Sequence, residues 1–360
     1  MAPTRRADGR YQTSVSLAGR KRYVYGRTPQ EAREKAARLR AQALALGQLP
    51  TPGRRTLGDL VAAWLAAAPL RPKTRHGYQQ VLAPVLATLG RLPLARLDPA
   101  HLQALYARLG AEHGARAAWK AHQVLHRALA VGVQWGWLAT NPADRVLRPR
   151  YQPAPRPVLA PEQGRALLQA LAGDRYYPLF LLLATTGCRL SEALGLEWPD
   201  VDLARGTVTF RRALVEVGSQ PVLGPLKSRA AHRTVPLLPS VVEALQRWRL
   251  LQLRERLRAG SAWQDARGAV FTTRVGTPPL GRNLRRALRR AAAQAGLAPV
   301  RIHDLRHAVA TWAAAAGVDV KTLQTCLGHA DARTTLNVYA GVLEAGAHRV
   351  GQAVAAALGQ

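Results

Sequence analysis

The chain has 360 residues, enough for two or three domains that each bury a core. Its 52 Lys and Arg against 21 Asp and Glu leave a formal charge of +31, which points to a polyanionic partner because each phosphate neutralised releases condensed counterions. DNA or RNA is therefore favoured over a membrane surface, and with no run of eighteen apolar residues and no secretory leader at the amino terminus, a cytoplasmic protein is expected.

Residues 1–50 read as a small basic module. Tyr11, Thr13, Val15 and Leu17 alternate along one face, Ala18-Gly19-Arg20 supplies a turn, and Arg22 to Tyr25 gives a second strand. Thr28-Pro29-Gln30-Glu31 combines an N-cap, a proline at the first helical position and a capping-box glutamate, predicting a helix through about Leu46. A linker is expected at 48–55 (QLPTPGRR). Beyond it, Leu57, Leu60, Val61, Trp64 and Leu65 fall on one helical stripe. Further helices are predicted at Tyr78 to Leu89, from Asp98-Pro99 onward, and at Ala115 to Trp135, giving a four- or five-helix bundle over 56–147.

Five prolines in RPRYQPAPRPVLAP, residues 148–161, mark the strongest boundary. After it come predicted helices at Pro161 to Ala172, Tyr177 to Thr185 and Leu190 to Leu196. Strands follow at Gly206 to Phe210 and Arg233 to Leu237, with a third strand or hairpin loop inside Val222 to Ala231, and helix then returns to the end. The expected fold is multidomain and mainly α with small β-sheets. It comprises a sheet-plus-helix module, a helical bundle and a mixed α/β domain. Cys188 and Cys326 form neither a CxxC pair nor a disulfide framework, so reduced, buried thiols are expected.

In HDLRHAVATW, His303 and His307 share a helix face at i, i+4, the spacing of zinc proteases. Asp304 stands where the glutamate base would be, Arg306 adds a permanent cation, and no compelling third ligand is near, all of which argue against metal. His307 continues the stripe of Val309, Ala310 and Trp312 and is expected in the core. His303 and Arg306, one turn apart, would aim a donor pair at a common point. In TGCRLSEALGLEW, a turn at Gly187 sets Arg189 near a helix start with Glu192 one turn on; an anion site and a structural Arg189–Glu192 ion pair account for this equally well.

Taken together, Arg189 in TGCRLSEALGLEW, Lys227 in LKSRAAHRTVPL, His303 and Arg306 in HDLRH, His329 in LGHADARTTL and Tyr339 in LNVYAGV resemble the tyrosine recombinase (phage integrase) family in order and approximate spacing. The resemblance covers residues 160–345. It implies an arm-type DNA-binding module at 1–50, a helical core-binding, SAM-like domain at 56–147, and a catalytic domain with a carboxy-terminal tail at 158–360. It also implies cleavage of duplex DNA without metal, cofactor or ATP. Tyr339 would attack the scissile phosphate to give a 3′-phosphotyrosyl link, Arg189 and Arg306 would bind its non-bridging oxygens, and Lys227 would protonate the departing 5′-hydroxyl. His303 would act as base toward Tyr339 or donate to the phosphate, since a histidine titrates close to neutral pH, and His329 would hydrogen-bond the phosphate. Glu192, Asp304 and His307 are supporting residues in this reading.

The partners so implied are double-stranded DNA with core-type and arm-type attachment sites, a homo-tetramer on DNA in which the alanine-rich tail after Tyr339 docks on a neighbour, a DNA-bending host factor and an excision factor. An element-borne integrase is preferred over an Xer-like chromosome recombinase, which usually lacks the amino-terminal module. It is also preferred over a type IB topoisomerase and over a catalytically silent DNA-binding regulator, which would lack some of the reacting residues.

Overall fold

Alternation in the first strand sets the amino-terminal sheet in the computed structural model, which describes residues 2–17, 20–46, 55–152, 158–328, 331 and 336. Strands β1 (Thr4–Arg5), β2 (Tyr11–Leu17) and β3 (Arg20–Gly26) pair antiparallel in that order, with Thr13 opposite Val24 and Val15 opposite Arg22. Helix α1 (Pro29–Leu46) starts where Thr28 Oγ1 accepts from the Glu31 amide at 3.1 Å and Glu31 accepts from the Arg27 amide at 2.7 Å. Its Leu39 and Ala43 close over Val15. The opposite alternation leaves Tyr23 and Tyr25 exposed, with Lys21 and Arg6 against their rings.

The helical region contains α2 (Leu57–Ala67), α3 (Pro72–Leu89), α4 (Pro99–His113) and α5 (Ala115–Gln134). Thr56 and Asp59 form a reciprocal cap on α2, and the predicted stripe Leu57, Leu60, Val61, Trp64 and Leu65 is buried. Helix α3 begins six residues before the expected Tyr78, because Pro72 occupies a first-turn position after an extended Arg71. Asp98 accepts from the His101 amide and caps α4. Leu82 of α3, Leu102 of α4 and Leu125 and Leu129 of α5 are wholly inaccessible, so one core serves all four helices.

The chain divides into two compact units, 1–154 and 155–360. The second contains α6 (Pro161–Ala170), α7 (Tyr177–Thr186), α8 (Leu190–Leu194), β4 (Val201–Asp202), β5 (Thr207–Phe210), β6 (Arg212–Val217), β7 (Gln220–Pro225), β8 (Arg233–Pro236), α9 (Pro239–Ala259), α10 (Gly281–Gln294), α11 (Ile302–Ala315) and α12 (Val320–Leu327). Strands β4, β5 and β8 form an antiparallel sheet in the order β4-β5-β8, and β6 with β7 forms a separate hairpin. The hairpin lies earlier than expected. Its first strand reads RALVEV, where charged and apolar residues blur the alternation, and Gly218 at φ 63° makes the turn. Helix α7 is apolar nearly all round and is buried at the centre of this unit, with α11 packed along it. The protein is thus mainly helical with small sheets. Among the described residues no helix is long and apolar enough to cross a membrane.

Candidate active site

Helix α7 ends at Gly187, whose φ of 62° favours glycine. A Cβ there would also lie 2.7 Å from Leu327 Cδ2 and 3.2 Å from Val309 Cγ1, so space makes the same demand. The turn presents the Gly187 carbonyl to Arg306, which donates from Nη1 at 2.7 Å and from Nη2 to the Leu327 carbonyl at 2.9 Å. Arg306 is 4% exposed. Burial, and then the charge of Arg189, lower its pKa to about 10, so it stays cationic at neutral pH. Two of its five N–H groups serve those carbonyls.

Arg189 is the residue just before α8. Its amide donates to Glu192 Oε2 at 3.0 Å and its Nη1 to Glu192 Oε1 at 2.6 Å, while Nη2 reaches the Gly328 carbonyl at 3.4 Å. Glu192 also accepts from Arg233 Nη2 at 3.0 Å, so one carboxylate, 2% exposed, serves two guanidiniums. Burial alone would raise its pKa, but Arg233 and the bonds from Arg189 outweigh that and hold it below the ordinary range. Cys188, between Gly187 and Arg189, is a buried neutral thiol that burial pushes up to about 12.

On α11 the rings of His303 and His307 meet edge to face, 4.7 Å between centroids. Desolvation of the His303 ring within the cluster, then the charges of His307, Arg306 and Arg189, lower its pKa to about 4. In the free protein at neutral pH it is a neutral imidazole, away from the near-neutral titration expected of it. Three guanidiniums thus gather near one carboxylate, which bonds Arg189 and Arg233, while Arg306 is held in place by backbone carbonyls. Such an arrangement can hold an anion and stabilise charge growing on its oxygens.

The fold brings Arg189, Glu192, His303, Arg306 and His307 together. Lys227 stands on an exposed bend between β7 and a 3-10 turn at Arg229–Ala231 that leads into β8. Asp304 accepts from the Arg301 amide at 2.9 Å and from its guanidinium at 2.8 Å, so it closes the start of α11. His329 and Tyr339, and the tail after them, lie outside the described residues.

Two expectations are corrected. His307 is exposed rather than in the core, because α11 turns Leu305, Arg306, Ala308 and Ala310 inward and position 307 falls on the other side. Cys326 is exposed as well, whereas Cys188 is buried. Among the described residues no group of three or more His, Cys, Asp or Glu could hold a metal ion.

Sequence reasoning missed Arg233. It occupies an inward position of β8, alternating with buried Val235, and bonds Glu192 and the carbonyls of Ala231 and Cys326. The available signal was an arginine in phase with the apolar face of a strand.

Residues 157–345 match the sequence profile of the phage integrase family. A tyrosine recombinase XerC-like protein of Caldanaerobacter subterraneus subsp. tengcongensis is 28% identical over 312 residues, 80% of each chain. The integrase of Mycobacterium phage L5 is 26% identical over 332 residues, 91% of this chain and 84% of that one. In fold, the chain is similar to the integrase of the Tn1549 transposon, solved in complex with transposon right end DNA. The TM-score is 0.68 at 21% identity, over 82% of this chain and 100% of that chain. With more than half of its length matching the profile, the chain belongs to the phage integrase family and is a tyrosine-type site-specific recombinase.

Proposed function

We propose that this recombinase is the integrase of a phage or other mobile element, cleaving and rejoining duplex DNA through Tyr339 without metal or ATP. The observation that carries the reading is the cluster of Arg189, Arg306 and His303, three groups able to donate to a phosphate and short of counter-charge. Tyr339 Oη attacks phosphorus as the bond to the 5′-oxygen breaks, and Lys227 gives that oxygen a proton. The phosphodiester energy is kept in the tyrosyl ester, so religation by the 5′-hydroxyl is the reverse step. Arg189 and Arg306 carry the charge growing on the non-bridging oxygens. His303, neutral before DNA arrives, can take the tyrosine proton; His329 donates to the phosphate. Glu192 and Asp304 fix Arg189 and the start of α11.

In this reading residues 56–147 grip the core site and residues 1–50 the arm site, in a tetramer assembled on DNA in the cytoplasm, with a DNA-bending host factor and an excision factor as further partners. Exposed Tyr23 and Tyr25 on a basic sheet support an amino-terminal groove reader. The likeness to the phage integrase spans 91% of this chain against 80% for the XerC-like relative, which favours the element-borne reading over the chromosomal one.

The test begins by selecting the core site from a randomised duplex pool with the full chain. A nicked duplex built on that site should trap a covalent protein–DNA adduct on denaturing gels, and Tyr339→Phe should abolish it. An adduct that persists in that variant overturns the nucleophile assignment. Removing residues 1–50 should abolish arm-site binding and spare core binding; unchanged arm affinity removes the module reading.

A further inference from the structure

Three consecutive carbonyls close α12, and each accepts from a different arginine. Cys326 accepts from Arg233 Nε at 2.5 Å, Leu327 from Arg306 Nη2 at 2.9 Å and Gly328 from Arg189 Nη2 at 3.4 Å. The last carbonyls of a helix lack partners within it and carry the negative end of its dipole, so cations gather there for a physical reason. Two of the three arginines belong to the proposed phosphate cradle. The third has no assigned role. Resting on the recombinase reading above, we infer that Arg233 is a positioning residue: it ties the end of α12 to Glu192 and thereby sets where Arg189 and Arg306 point.

The geometry of Arg233 leaves it nothing else to do. It is 6% exposed, and all three of its nitrogens are engaged, Nε with Cys326, Nη1 with Ala231 at 2.9 Å and Nη2 with Glu192. Its guanidinium lies 4.6 Å from the centre of the Phe210 ring, on the neighbouring strand. Three acceptors around one planar group suit a guanidinium and not an ammonium, which is a point charge with no preferred plane. Gly328 leaves room for the arrangement, since a Cβ there would come within 2.9 Å of Arg233 Nη1 and 3.0 Å of the Ala230 carbonyl. With Arg233 gone, Glu192 keeps one cation, and both of its oxygens draw Arg189, one-third exposed, away from an arriving phosphate. The end of α12, from which the chain runs on to His329 and Tyr339, loses its tie to β8.

Arg233→Lys, assayed on the nicked core-site duplex, should bind DNA with affinity within about 3-fold of the parent, because Arg233 is buried and contributes little to the field at the surface. Its adduct formation at saturating DNA should fall about 10²-fold, the loss that a small misplacement of a reacting group carries. A duplex whose scissile phosphate has one non-bridging oxygen replaced by methyl lacks the charge that the arginine pair neutralises. On that substrate the penalty should shrink severalfold, whereas a variant that merely loosens the fold would slow both substrates equally. Equal penalties, or no penalty on the ordinary phosphodiester, overturn the inference. Should Arg233→Lys fail to fold, the pair Arg233→Met with Glu192→Gln removes both buried charges together, and the same phosphodiester-selective loss is expected of it. A parent chain that forms no adduct, or a Tyr339→Phe chain that still does, overturns the recombinase reading and the inference with it. A normal parent beside an unaffected Arg233→Lys overturns the inference alone.

Discussion

In the helical region of residues 55–152 Lys73 and Lys120 stand exposed at the surface, and Arg108 meets Glu112 at 3.7 Å with both side chains about half exposed. In the second unit Arg306 and Arg233 are 4% and 6% exposed, and their partners are carbonyls and a single buried carboxylate. Surface cations are screened within about 10 Å at ordinary salt, so they act by number and any one of them is replaceable. Buried cations pay a desolvation cost that only well-placed acceptors offset, so each occupies one position and tolerates little change. The contrast separates the two tasks a DNA-rejoining enzyme needs, long-range attraction and exact handling of one phosphate.

That contrast can be broken by mutation, beginning where the effect should be largest. Arg306→Ala removes a cradle cation and leaves the Gly187 and Leu327 carbonyls without donors. Adduct formation should fall on the order of 10³-fold, with a loss of about 2 kcal/mol in urea denaturation; a variant that keeps half its activity would make Arg306 a packing residue. Glu192→Gln strips the counter-charge from Arg233 and Arg189 and should cost about 3 kcal/mol in the same denaturation assay. Because the folded-state pKa of Glu192 is depressed, its contribution is present above the unfolded value and is lost as pH falls through the folded one. The parent should therefore weaken toward acid more steeply than Glu192→Gln, and parallel pH curves would contradict this.

His303 offers a test of electrostatics at the cradle itself. Its ring protons should titrate near pH 4 by NMR in the free protein. Since that value lies below the ordinary one, stability should decline as pH falls from about 6.5 toward 4, and His303→Gln should flatten the decline. Bound duplex should move the midpoint upward, because a phosphate beside the ring favours its charged form. A midpoint near 6.5 in the free chain would mean that neither desolvation nor the arginines act on it.

The smallest effects should come from the surface. Lys73→Ala or Lys120→Ala should weaken DNA binding evenly across sequences and lower the slope of log affinity against log salt by at most about 0.9 each. Glu112→Gln should change stability by less than about 0.5 kcal/mol. A surface variant with an effect as large as that of Glu192→Gln would erase the distinction between the two regions.

Much of the fold was legible because local physics repeats along the chain. The stripe from Leu57 to Leu65 needs only a helical period, the start of α1 only Thr28, Pro29 and Glu31, and strands β5 and β8 only their alternation. Strand β6 was illegible because Arg212 and Glu216 sit among its apolar residues and the turn glycine, Gly218, lies before the stretch Val222 to Ala231 where a strand was expected. His307 misled for a related reason. Its neighbours Val309 and Trp312 made an apolar context, but at two and five residues away they stand roughly 160° and 140° round the helix from it. Of the cluster, Arg189, Glu192, His303 and Arg306 stood out in the sequence, while Arg233 did not, because an arginine in a strand looks like a solvated one until its partner is known.

The sequence by itself determined most of the elements and the caps at Thr28, Thr56 and Asp98, since each depends on contacts within a few residues. Only the tertiary structure decided who meets whom. Arg233 finds Glu192 across 41 positions, Arg306 finds Gly187 across 119, and Arg189 finds Gly328 across 139. Those pairings follow from how α7, α11 and α12 pack about an apolar core, and packing sums many weak contacts that no short window contains. The same packing sets partial desolvation and then His307, Arg306 and Arg189 around the exposed His303, and together they lower its pKa, a property of its surroundings and not of its name.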